Sequence, residues 1–195
     1  MIDIIFASSN KGKINEVKKV LEPYNIRILS MEDVGFFDDI EETGSTFLEN
    51  AIIKAKAVYA KTGGMVLADD SGLEVKYLNN APGIFSSRFA EDDEKRIGKL
   101  LKLLDGVPRD DRKARFVCAM VILQNGASNI VAEGTVEGYI TNEPCGENGF
   151  GYDPIFYVPQ YKKTMAELPS NVKNKISHRA RALGEILKRI KECVN

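Results

Sequence analysis

The sequence predicts an α/β protein: one elongated body of two lobes, built on a mixed sheet with flanking helices. Three observations lead there. The chain opens strand, polar loop, helix, strand. Amphipathic helical stretches then alternate with apolar β segments. No internal repeat, low-complexity run or composition shift divides the chain, so residues 1–195 read as a single domain.

Residues 2–7 are an apolar run suited to a central strand, residues 8–12 a small polar loop, and residues 13–21 place Ile14, Val17, Val20 and Leu21 at helical spacing. Pro23 ends that helix, and residues 26–29 supply a second strand. After the acidic turn Glu41-Glu42-Thr43-Gly44, Thr46 and Glu49 form a capping box for a helix running to about Lys61. In helical projection Phe47, Ala51, Ala55 and Val58 share one apolar arc that Ile52 and Tyr59 widen, and Gly63-Gly64 stops the helix. Residues 65–68 are a buried-type strand ending in Asp69-Asp70-Ser71-Gly72, and Leu73, Val75 and Tyr77 alternate beyond it as one more strand. Residues 79–88, with Pro82-Gly83, are a loop. Residues 91–104 are a helix with an acidic start and apolar Ile97, Leu100, Leu101 and Leu104. Two long β segments, 114–123 and 129–140, surround the turn Gln124-Asn125-Gly126. Residues 141–153 are glycine-rich and aperiodic, as functional loops are. A closing helix over 177–193 carries Ala182, Leu183, Ile186, Leu187 and Ile190 on its apolar side.

Composition excludes several classes. With 27 Lys and Arg against 28 Asp and Glu the net charge is −1, which disfavours a nucleic-acid binder that must displace counterions with a basic surface. The three cysteines, Cys118, Cys145 and Cys193, contain no C-x-x-C pair, so neither a zinc site nor a disulfide framework is expected. That usage fits a reducing compartment. The amino terminus lacks the basic start of a signal peptide, and no apolar run approaches the ~20 residues of a membrane helix. A cytoplasmic protein with no membrane partner is the expectation.

Five short stretches carry candidate chemistry, each with a plainer reading beside it. Ser8-Ser9-Asn10-Lys11-Gly12-Lys13 joins a strand to a helix, where small residues, backbone N–H groups and Lys13 suit a phosphate; taken alone it reads first as a polar turn capped by Asn10. The adjacent carboxylates Asp69-Asp70 at a strand end suit Mg²⁺, which takes one or two carboxylates plus water and substrate phosphates; Asp-Ser-Gly is also a hairpin turn. Glu41-Glu42 is either surface charge near a helix start or the remainder of that metal site. Gly149-Phe150-Gly151-Tyr152-Asp153-Pro154 lets a flat base approach backbone, with Phe150 for stacking and Asp153 for a hydrogen bond, or it is a bulge with a core phenylalanine. Lys173 with Ser177-His178-Arg179 makes a donor-rich corner able to hold a purine carbonyl oxygen, although a single histidine is commonly an ordinary half-buried side chain.

In this order the five stretches closely resemble the inosine/xanthosine triphosphate pyrophosphatase family. The likeness runs from Ile4 to about Leu187 and takes in Glu41-Glu42-Thr43-Gly44, residues 47–54, Ala81-Pro82-Gly83-Ile84-Phe85-Ser86-Ser87-Arg88-Phe89 and residues 149–156. It implies a homodimeric, Mg²⁺-dependent enzyme with a central nucleotide cleft that converts ITP, dITP and XTP to the monophosphate and pyrophosphate. Carried over by position, Ser8, Ser9, Asn10, Lys11, Gly12 and Lys13 bind the triphosphate. Asp70 is metal ligand and general base, Glu41 the second ligand with Glu42 a near alternative, and Ser71 touches substrate. Phe150, Gly151, Tyr152, Asp153, Lys173, His178 and Arg179 surround base and sugar, and Lys54 lies near the phosphates. Arg179, having donors only, is expected to favour a 6-oxo base over the 6-amino group of adenine. The chain departs from the family's common Thr-Gly-Asn at Ser8-Ser9-Asn10, which requires that Ser9 not need positive φ. It also lacks the glycine often found after Phe89. The rival readings are a pyrophosphatase for another modified nucleotide and a non-catalytic nucleotide sensor.

Overall fold

A computed structural model describes residues 2–124 and 129–194, with side chains to residue 189. Among these, the strands are β1 (Ile2–Phe6), β2 (Ile26–Ser30), β3 (Met65–Val75), β4 (Lys113–Gln124), β5 (Ile130–Ile140), β6 (Phe156–Val158) and β7 (Lys163–Thr164). The helices are α1 (Lys11–Leu21), α2 (Phe47–Thr62), α3 (Asp93–Leu103), α4 (Ser170–Ile176) and α5 (His178–Val194). The strands hydrogen-bond in the order β2-β1-β3-β4-β5-β6-β7, with β1 parallel to β2 and β3, and with β5, β6 and β7 successively antiparallel. This is the mixed α/β sheet that the sequence predicts. The turn expected at Gln124-Asn125-Gly126 lies largely outside the described residues, as do the side chains of Ile190 and Cys193.

The chain forms two compact units. The first holds residues 1–70, 118–134 and 178–195, the second residues 71–117 and 135–177. In the first, alternation along β1 and β3 divides the core. Ile4, Phe6 and Leu67 pack with Val17 and Leu21 of α1 and Ala182, Leu183 and Ile186 of α5. Ile5, Val66 and Ala68 pack with Ala51, Ala55 and Val58 of α2. Helices thus cover both faces of the strands, the arrangement a parallel sheet requires. The Thr46–Glu49 capping box is present, and Gly63, at φ 62°, ends α2. The second unit gathers Leu73, Ile97, Leu100, Phe116, Ile140, Phe156 and Met165 into its own core.

Three expected boundaries move. Helix α1 begins at Lys11, so Lys11 and Gly12 belong to its first turn rather than to the loop, because Asn10 takes the cap. Helix α3 begins at Asp93 behind the cap Asp92 and leaves Glu91 outside. No second strand follows Asp69-Asp70-Ser71-Gly72: β3 is one strand of 11 residues that passes straight through them, and Tyr77 falls in a 3-10 turn beyond its end.

Candidate active site

Because β3 does not stop at Asp69, its two aspartates are neither at a strand end nor in a hairpin turn. Successive side chains on a strand point to opposite faces. Asp69 therefore shares the face of Leu67, toward α1 and α5, and Asp70 that of Val66 and Ala68, toward α2. The adjacent carboxylates face different surroundings, although the charges of Lys13 and Lys54 reach both.

Asp69 has no exposed surface. Lys13 Nζ stands 3.1 Å from Oδ2, Arg179 Nε 3.3 Å from the same oxygen, and Cys118 Sγ lies 3.8 Å from it. Arg179, 2% exposed, also pairs through Nη1 with Glu16 of α1. Burial pushes the Asp69 carboxyl up, but the charges of Lys13, Arg179 and Lys54 outweigh it and hold it well below the usual carboxylate range. The same burial raises the Cys118 thiol, with Asp69 adding to the rise, so Cys118 stays a neutral thiol.

Asp70 is 6% exposed and differently provided for. Asn50 Nδ2 donates to its Oδ2 at 3.2 Å, and Lys54 Nζ lies 3.6 Å from its Oδ1 while sitting 2.6 Å from Glu42. Asn50 and Lys54 are one helical turn apart on α2 and so present to the same side. Burial raises the Asp70 carboxyl, Lys54 and Lys13 oppose it, and Glu42 adds to the rise. Glu42 and Asp70 thus both stand beside the Lys54 ammonium on this face, and paired carboxylates of this kind suit a divalent cation. Among the described residues no group of three or more His, Cys, Asp or Glu side chains could hold a metal alone. Magnesium needs no such cage: one or two carboxylates, water and substrate phosphates suffice. Glu42 is committed to Lys54, whereas Glu41 is exposed and, among the described residues, no ion pair engages it.

The acid turn is tied to this site through its glycine. Gly44 N donates to Asn50 Oδ1 at 2.8 Å, and a Cβ at Gly44 would stand 2.7 Å from that oxygen and from Glu49 Cβ. Gly44→Ala is expected to cost about 1–3 kcal/mol and to lower kcat together with stability, since the displaced Asn50 loosens Asp70. Thermal unfolding and steady-state kinetics on one preparation check this.

The amino-terminal turn meets the first aspartate in the same unit. Asn10 caps α1 by accepting from Lys13 N at 3.0 Å, so that N–H is taken, and the positive end of the helix beside it suits an anion. Ser9 is not among the residues with positive φ, so serine fits where the resembled family commonly has glycine. Ser9, Asn10 and Lys11 are exposed, and Ser8, Gly12 and Lys13 are half-buried.

Of the remaining expected residues, Ser71 follows Asp70 in β3 and is half-buried. His178, 7% exposed, begins α5 in the first unit beside Arg179. Phe150, Gly151, Tyr152, Asp153 and Lys173 come together within the second unit. Asp153 Oδ2 accepts from Phe150 N at 2.9 Å and from Lys173 Nζ at 2.5 Å, and that ammonium lies 4.7 Å from the Phe150 ring centroid. Gly149 has φ 84°, and a Cβ there would meet Asp153 Oδ2 at 2.0 Å. Tyr152 OH donates to Ser86 O at 3.0 Å, and Gly151 N to Asp93 at 2.8 Å. Asp153 and Tyr152 thus face inward and hold the loop's shape, while Phe150 and Gly151 remain half-buried and accessible.

Sequence reasoning missed Glu16 and Asn50. Glu16 stands three residues after Lys13, on the same side of α1, and Asn50 borders the apolar arc of α2 one turn before Lys54. A polar residue beside a buried arc is the available signal, since a buried amide needs a partner.

Residues 4–189 match the sequence profile of the Ham1 family. A dITP/XTP pyrophosphatase of Bacillus licheniformis is 51% identical over 189 residues, covering 95% of this chain and 96% of that protein. A HAM1 protein from Coxiella burnetii superposes with a TM-score of 0.88 at 45% identity, over 98% of this chain and all of that one. The Staphylococcus aureus Ham1 protein gives 0.86 at 44% identity, over 99% of this chain. A profile match across nearly every residue, full-length relatives and a shared fold agree: the chain belongs to the Ham1 family.

Proposed function

We propose that the chain hydrolyses the non-standard purine nucleoside triphosphates ITP, dITP and XTP to the monophosphate and pyrophosphate with magnesium, as a cytoplasmic homodimer that clears them from the nucleotide pool. The observation that carries this reading is the convergence in one unit of Lys13, in the first turn of α1, with Asp69, whose strand neighbour Asp70 is buried beside Lys54 and Glu42. The names of the relatives supply the substrate class.

The steps rest on the chain's own residues. Ser8 to Lys13 bind the triphosphate through the N–H groups at the start of α1, and Lys13 and Lys54 spread the charge that develops on the leaving pyrophosphate. Asp70, raised by burial, orients a water and takes its proton as the oxygen bonds to the α-phosphorus. The bond from that phosphorus to the bridging oxygen breaks, and pyrophosphate leaves with the electron pair. Asp70 and Glu41 would hold magnesium, which when bound supplies charge to the phosphate oxygens and acidifies the water. Asp69 keeps Lys13 and Arg179 in place.

Steady-state kinetics against purine triphosphates, with and without Mg²⁺, test the reading. ITP, dITP and XTP should release pyrophosphate far faster than ATP or GTP, and only with the metal. In ¹⁸O water the label should enter the monophosphate; label in pyrophosphate rules out attack at the α position. Binding of ITP without turnover in the wild type gives the sensor reading instead. Glu41→Gln should raise the Mg²⁺ concentration for half-maximal rate about tenfold or more, and Glu42→Gln, which frees Lys54, should do so less.

A further inference from the structure

A cavity of about 330 Å³ lies within the second unit, lined by residues that no step above uses, among them Arg109, Arg112, Tyr139, Thr141, Asn142 and Tyr157. Its size falls at the lower end of the roughly 300–1,000 Å³ typical of small-molecule pockets. Tyr139 and Tyr157 are register partners on β5 and β6, so their rings stand on one face of the sheet. Arg109 is exposed, with its guanidinium carbon 5.2 Å from the Tyr157 ring centroid.

Arg112 is the unusual member. It is 4% exposed, donates through Nη2 to Leu104 O at 2.9 Å and through Nη1 to Asn142 Oδ1, and among the described residues its Nε has no acceptor. The other buried cations, Lys173 and Arg179, are each paired with carboxylates. Among the described residues Arg112 hydrogen-bonds only to neutral acceptors, and a buried guanidinium so placed carries a desolvation cost that no direct ion pair offsets. Burial accordingly lowers its pKa, with Asp105 opposing from a distance.

We propose that this pocket is a second, non-catalytic site that binds a nucleoside monophosphate, its phosphoryl group against Arg109 and Arg112 and its base against Tyr139 and Tyr157. Two arginines match the charge and fork geometry of a phosphoryl group. The tyrosine rings offer a flat apolar surface that free phosphate cannot use. Thr141 and Asn142 add neutral polar groups at the same wall.

The test uses the full chain with ¹⁵N-labelled arginine and follows the Arg112 Nε–H resonance during titration with adenosine monophosphate or inorganic phosphate at constant ionic strength. A saturable shift with adenosine monophosphate is expected, about tenfold tighter or more than with phosphate, because stacking of the base adds affinity that free phosphate lacks. Arg109→Glu, a change at an exposed side chain, should weaken that binding about tenfold or more and leave ITP turnover unchanged. Absence of a saturable shift, equal affinity for the two probes, or full affinity in Arg109→Glu each overturns the proposal. Since the readout is Arg112 and not turnover, its failure is separate from failure of the proposed hydrolysis.

Discussion

Asp70→Asn should leave a folded protein whose kcat for ITP has fallen by about 10²–10⁴-fold. The substitution keeps the shape of the side chain and its place opposite Asn50 Nδ2, and removes only the charge and the proton-accepting oxygen. The stability effect should run the other way. Burial is what raises the Asp70 carboxyl, so the ionised group in the free protein is held at a cost, and Lys54 retains Glu42 when the charge at 70 is gone. The melting temperature should therefore hold or rise. Kinetics and thermal unfolding on the same preparation separate the possibilities. Loss of activity with an unchanged or higher melting temperature assigns Asp70 to the reaction. Near wild-type kcat removes it from the role of base, and a large fall in melting temperature means that the amide disturbs the fold.

How far the sequence exposes such a site depends on where each residue's partners lie in the chain. The capping box at Thr46 and Glu49 is local, and it appears where the pattern puts it. The apolar arc of α2 likewise needs only its own spacing, and Phe47, Ala51, Ala55 and Val58 are all buried. Strand β3 misleads because Asp-Asp-Ser-Gly has turn composition; tertiary ion pairs, one of them to Arg179 in the last helix, satisfy the charge that local propensity would send to solvent. Strands β6 and β7, of 3 and 2 residues, are too short to show any period, and α4 has 7 residues of which only Lys173 is buried. The candidate site residues could be picked out by type and order. Their division between two units, and the partner each one holds, come only from the folded chain.

Arg179 is where those two levels give opposing expected results. A guanidinium that reads the 6-oxo group of the base predicts that Arg179→Ala shifts the ITP-to-ATP preference at nearly constant stability. The folded chain instead buries Arg179 between Asp69 and Glu16, with Lys13 against the same carboxylate of Asp69. Removing one member of a buried ion-pair network leaves the others uncompensated, at a cost of about 3–5 kcal/mol. For a chain of this length that corresponds to a fall of roughly 6–20 °C in melting temperature. Asp69→Asn should give a loss of the same order, since it strands Lys13 and Arg179 together. The pH dependence identifies the cause. The Asp69 carboxyl is lower in the folded state than in the unfolded chain, so its contribution is complete above the unfolded value of about 4, starts to shrink as the pH falls below it, and is fully lost only once the pH has passed the lower folded value. The stability gap between wild type and Asp69→Asn should therefore be widest near neutrality and close on acidification, because protonated Asp69 is as neutral as the amide. A gap that persists unchanged at pH 3, or an Arg179→Ala variant with altered base preference and intact stability, would return Arg179 to the role of base reader and leave Asp69 without a charge to hold.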